Sequence, residues 1–113
     1  MTRIFPAAAA ALVLALGPAL ASAAAQADQT SRLRQRALAA TCAQCHGTDG
    51  RAVAGEALVR LAGLPKDYIF TQLMAFRSGQ RPATIMHQIT RGYSQEQLED
   101  VAIYFAAQPA NAK

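Results

Sequence analysis

The sequence predicts a small all-α domain, and three observations carry that expectation. Apolar residues recur at helical spacing in two separate stretches, and Gly or Pro stands at the ends of those stretches. No stretch alternates apolar with polar residues as a half-buried strand would. The chain has 113 residues, which bounds it to one small domain.

The N-terminal residues read as a leader rather than as part of that domain. Arg3 gives a short positive start, and Ala7 to Leu20 is an almost unbroken apolar run. Ala21-Ser22-Ala23 then supplies the small-residue pattern that a signal peptidase cuts. An apolar run of 14 residues is shorter than the about 20 that a membrane crossing needs. Residues 1–23 are therefore expected to be a signal peptide, cut near 23–25, and residues 24–113 the working domain. An uncleaved membrane anchor is the competing reading. Cleavage implies export, with the periplasm as destination and no membrane span after the leader is removed.

Losing the leader removes Arg3 and leaves ten Lys and Arg against seven Asp and Glu, a net charge of +3. The basic residues are scattered, and Arg32, Arg34 and Arg36 do not line up one helical face. Nucleic-acid binding needs a denser basic patch interleaved with aromatics, so that class is excluded. A domain this short sits near the lower limit for a self-sufficient core and usually adds a disulfide, a metal or a cofactor.

Each helix has its own signals. Thr30 or Ser31 is the expected N-cap of a first helix that carries Leu33, Ala37, Leu38 and Thr41 into Cys42-Ala43-Gln44-Cys45-His46. Gly47 and Gly50 break it, and residues 51 to 64 read mostly as loop. Pro65 suits the start of a second helix, in which Ile69, Leu73 and Phe76 share a face and Gly79 is the stop. A short helix around Ile85 to Thr90 ends at Gly92. Ser94-Gln95-Glu96-Gln97 is a capping box opening a last helix with Leu98, Val101, Ala102 and Phe105 on one stripe.

Cys42 and Cys45, three residues apart at a helix end, point to one side. Each thiol can add across one vinyl group of a porphyrin, and His46 then presents its imidazole to the iron. C-x-x-C-H is thus a device that attaches and ligates one covalent haem c. Three plainer readings compete. A thioredoxin-type pair wants a βαβ setting, a zinc site wants two further ligands, and a disulfide closing so small a ring staples little. For the sixth iron ligand the candidates are Met86, His87 and Met74. Met86 lies in the Pro- and Gly-punctuated segment about 40 residues after His46 and is the choice. Met74 sits mid-helix beside the apolar stripe, where Met more often fills core gaps.

With these residues placed, the chain resembles the bacterial single-haem domains of cytochromes c over nearly the whole of residues 24–113. The matching pieces are the helix into TCAQCHGTDG, the PKDYIFTQLMAFRSGQR helix, the IMH segment and the closing GYSQEQLEDVAIYFAAQ helix. The run ATIMHQITRGYS is similar to the cytochrome subunit of flavocytochrome c sulfide dehydrogenases. The resemblance implies a small cytochrome c fold around one haem, with Cys42 and Cys45 as thioether positions and His46 and Met86 as axial ligands. It also implies that the first and last helices pack together, with Tyr104 and Phe105 at their contact. Many relatives of that subunit carry two haem domains, whereas this chain has one C-x-x-C-H.

The implied role is electron transfer between redox partner proteins, with no catalysis of its own. The leading expectation is a subunit that takes electrons from a flavoprotein oxidising sulfide, docked through an apolar patch near the Met86 loop and Tyr93 and ringed by Arg81 and Arg91. A freestanding shuttle is the alternative. A haem enzyme or gas sensor with an open sixth site is the third reading.

Overall fold

The computed structural model describes residues 8–52 and 58–110, with side chains from residue 18 onward. The chain divides into two compact units, Met1–Ser31 and Arg32–Lys113.

The described part of the first unit is helical and belongs to α1, Ala8–His46. Its side chains from residue 18 onward are exposed. Among the described residues, no helix is long and apolar enough to cross a membrane. The N-cap expected at Thr30 or Ser31 is absent, because α1 runs through both. The Ala-rich stretch before them favours helix and contains no breaker after Pro18. Instead of capping, the Thr30 hydroxyl donates to the Gln26 carbonyl four residues back (2.9 Å).

The second unit contains the rest of α1, a 3-10 turn at Thr48–Gly50, and three further helices: α2 (Lys66–Ser78), α3 (Met86–Arg91) and α4 (Gln95–Ala106). The described residues include no strand, so the all-α expectation holds. α2 is the central element and packs on both α3 and α4. Ile69 and Leu73, one turn apart on α2, meet Leu98, Val101, Ala102 and Phe105 of α4 and Ala39 of α1 in one buried cluster. Burying an aliphatic or aromatic side chain of this kind stabilises by about 1.5–3 kcal/mol.

The helix ends follow the sequence signals closely. Pro65 precedes α2, and Gly79 closes it in the left-handed region (φ 80°). Ser94 caps α4 with the full reciprocal box: its hydroxyl accepts from Gln97 N–H (3.1 Å), and Gln97 Oε1 accepts from Ser94 N–H (2.8 Å).

The contact expected between the first and last helices is partly polar. Arg34 on α1 donates to Asp100 (2.5 and 2.8 Å) and Glu96 (2.8 Å) on α4. Asp100 is 6% exposed, so it needs this partner. Phe105 is fully buried, as the resemblance implied. Tyr104 differs: its ring is half-exposed and packs edge-on to Phe105, and its hydroxyl donates to Asp49 (2.5 Å) in the turn after α1.

Candidate functional site

Beside the buried cluster lies a cavity of about 310 Å³. Cys42, Cys45 and His46 at the end of α1 line one side of it, and Met86 and Ile89 of α3 also line it. Leu61, Leu64, Ile69, Leu73, Phe76, Val101 and Phe105 supply an apolar lining. Its volume is at the lower end of ordinary cofactor sites, and its lining is of the expected kind. The four residues singled out by sequence therefore share one cavity, although 40 residues separate His46 from Met86. Met74 and His87 do not line it. Met74 packs against the buried cluster instead.

The turn that follows His46 shapes this side of the cavity. Gly50 has φ 74°, and a Cβ there would stand 2.7 Å from Phe105 Cδ1 and 2.9 Å from Leu61 Cβ. Only glycine allows the turn to lie this close to α4. The Gly50 carbonyl accepts from Leu61 N–H (2.8 Å) and Ala62 N–H (3.1 Å), and Gly63 N–H donates to the Phe105 carbonyl (3.0 Å). Arg60 reaches the Ala110 carbonyl (2.8 Å). Residues 58–64 of the segment read from sequence as loop are thus tied to the turn after α1 and to the end of α4, and residues 53–57 of it lie outside the described residues.

That pinning presents the Val59 carbonyl to His46, whose Nδ1–H donates to it at 2.7 Å. A carbonyl only accepts, so Nδ1 carries the proton and Nε2 keeps its lone pair. An imidazole held this way has the tautomer and fixed orientation that a metal ligand needs. No sequence signal could have named Val59, because only its backbone takes part.

Cys42 and Cys45 do not form a disulfide with each other. Before haem attachment, burial pushes the Cys42 thiol above its ordinary value, so it stays protonated at neutral pH. The described residues include no cluster of three or more His, Cys, Asp or Glu able to hold a bare metal ion. The donor set, two thiols and one oriented imidazole opening onto an apolar cavity, suits a porphyrin rather than a zinc ion.

Two further contacts escaped the sequence reading. Thr41 Oγ1 and the Tyr93 hydroxyl are hydrogen-bonded at 2.6 Å, tying α1 to the residue just after α3. Thr90 Oγ1 donates to the Met86 carbonyl (2.8 Å), which holds the first residue of α3. Tyr93 is half-buried, and its hydroxyl is engaged by Thr41.

The comparisons with known proteins agree with this geometry. The profile of the family "Cytochrome c" matches residues 34–108. The chain is 42% identical over 72 residues to the thiosulfate dehydrogenase electron acceptor of Stutzerimonas stutzeri, covering 64% of this chain and 33% of that one. It is 36% identical over 72 residues to the cytochrome subunit of sulfide dehydrogenase of Chlorobaculum tepidum, covering 64% of each. Among solved structures it is similar to cytochrome c4 of Acidithiobacillus ferrooxidans, with TM-score 0.54, 39% identity and coverage of 58% of this chain and 38% of that one. The matched region thus spans one third to just under two thirds of these relatives' own length. The chain belongs to the cytochrome c family, whose domain carries covalently attached haem c.

Proposed function

We propose that Cys42 and Cys45 carry the haem, that His46 and Met86 ligate its iron, and that the domain passes single electrons between proteins outside the cytoplasm. The observation carrying this reading is the cavity itself, which gathers these four residues among apolar neighbours. In each attachment the thiol's sulfur and hydrogen add across one vinyl double bond, so nothing is oxidised or released. When bound, the haem supplies reversible one-electron exchange at its iron. The chain's own part is to exclude water through the apolar lining, to fix the His46 tautomer through Val59, and to present a thioether from α3. A neutral sulfur ligand raises the potential above that of a bis-His site. A haem ligated by both His46 and Met86 would offer no open position for substrate or gas.

The test is holoprotein made with a cytochrome c maturation system. Wild type should keep red haem on a denaturing gel. Cys42→Ala or Cys45→Ala should keep at most one thioether, and the double variant none. A double variant that folds fully without haem would sink the reading.

Export rests on the leader pattern of residues 1–23, and the mature N-terminus from a periplasmic extract checks it directly. The donor we propose is a flavoprotein that oxidises sulfide, supported by the similarity to the sulfide dehydrogenase cytochrome subunit. The docking face sits at the cavity mouth, where Leu58, Val59, Tyr68 and Ile85 line the cavity and remain 41–59% exposed. A lasting complex needs about 1,200 Å² of buried surface or more. Co-expression with such a flavoprotein should give one size-exclusion peak carrying both chromophores, and sulfide should then reduce the haem faster. The freestanding carrier is favoured by one observation, the likeness (42% identity over 72 residues) to an electron acceptor of a different dehydrogenase. Two separate peaks, with no faster reduction, would establish it.

A further inference from the structure

A haem brings two propionates, and an apolar cavity must place these anions where a cation or water can meet them. Of the described residues lining this cavity, Arg81 alone carries a full charge. It is exposed and follows α2, so its guanidinium reaches the cavity from the solvent edge. Two contacts hold it there. The guanidinium carbon sits 4.6 Å from the centre of the Phe76 ring, and Nη1 donates to Gln72 Oε1. Phe76 and Gln72 also line the cavity, one turn apart on α2. The Arg81 N–H donates to the Ala75 carbonyl (3.1 Å), which fixes where the side chain starts. No described carboxylate forms an ion pair with it.

We propose that Arg81, oriented by Phe76 and Gln72, binds a haem propionate at the cavity rim. The proposal rests on the haem site described above. A guanidinium suits a carboxylate through its planar fork of donors, and one already stacked and hydrogen-bonded loses little freedom on binding. A fixed positive charge near the iron stabilises the reduced state, which carries one positive charge fewer. Arg81 therefore raises the reduction potential as well as seating the haem edge. Gln72 is a positioning residue that acts through Arg81.

The experiment compares holoprotein of wild type, Arg81→Gln, Arg81→Lys and Gln72→Leu. Covalent haem on a denaturing gel and intact Met-to-iron absorption test the haem site itself, and loss of either in wild type overturns that reading rather than this one. Given both, Arg81→Gln should lower the midpoint potential by a three- to tenfold shift in the oxidised-to-reduced ratio, about 59 mV at the tenfold end. It should also move the propionate bending bands in the resonance Raman spectrum. Arg81→Lys should recover most of the potential but not the band position, because charge is kept and the fork is lost. Gln72→Leu should shift both in the direction of Arg81→Gln, by less. Arg81→Gln with unchanged potential and unchanged propionate bands would overturn the proposal and leave Arg81 a brace for the loop after α2. Slower reduction by a protein donor with potential and bands unchanged would overturn it too, assigning Arg81 to partner docking.

Discussion

Two regions of the haem cavity are held by different means. The region after α1 is a polar lattice of hydrogen bonds: backbone bonds from Gly50 to Leu61 and Ala62 and from Gly63 to Phe105, and the His46 ring to the Val59 carbonyl. The region carrying Met86 is a six-residue helix whose entry at Ile85 has no side-chain cap. It is held by Thr90 and by apolar packing, with α2 behind it. On the proposed ligation, His46, which must keep one tautomer and one ring orientation, sits where directional bonds are dense. Met86, the proposed thioether ligand, is flexible and unable to titrate, and sits where packing suffices. The difference also bears on robustness, since the first region has several hydrogen-bond ties, whereas among the described side-chain hydrogen bonds only Thr41–Tyr93 links α1 to the residues after α3.

Three substitutions probe this contrast, from the largest effect to the smallest. Phe105→Ala should strike the first region hardest, because that ring is fully buried and packs under Gly50. The expected loss is about 3–5 kcal/mol in chemical denaturation. A loss as small as that of a surface change would mean the turn stands without α4 behind it. Tyr93→Phe removes the tie to Thr41, and unfolding should become easier by about 0.5–1.5 kcal/mol. The same variant should speed cyanide entry to the oxidised iron, and if entry is unchanged the tie does not restrain the Met86 helix.

The smallest effect concerns pH. Burial, and then the bond to Asp49, raise the Tyr104 phenol above its ordinary value of 10.0. The folded protein therefore holds this proton more tightly than the unfolded chain. Its contribution is complete below pH 10.0 and is lost as pH rises from there through the folded value. Wild type should lose stability over that alkaline range more steeply than Tyr104→Phe. Parallel pH profiles for the two proteins would remove Tyr104 as the cause.

Much of this was legible in the chain. The capping box at Ser94, the stops at Gly79 and Gly92, and the stripe of α4 are local signals whose physics is complete within a few residues. The start of α1 was misread because Thr30 and Ser31 look like caps, yet the alanines before them are strong helix formers. Cys42, Cys45 and His46 declared themselves by spacing. That Met86 and not Met74 faces the cavity followed from segment character rather than from any pattern around the sulfur. The Val59 carbonyl, the Asp49–Tyr104 bond and the Gln72–Arg81–Phe76 group depend on tertiary approach, and a sequence carries no local mark of that.

The central claim is that Cys42, Cys45, His46 and Met86 surround one haem, and the sulfur ligand tests it most directly. The measurement is the weak far-red sulfur-to-iron absorption of the oxidised holoprotein in wild type, Met86→Ala and Met74→Leu. Met74→Leu conserves volume, costs less than about 1.5 kcal/mol, and should keep the band. Met86→Ala should lose the band and open the iron to carbon monoxide in the reduced state. A band that survives Met86→Ala and disappears in Met74→Leu would contradict the account and move the ligand from α3 to α2.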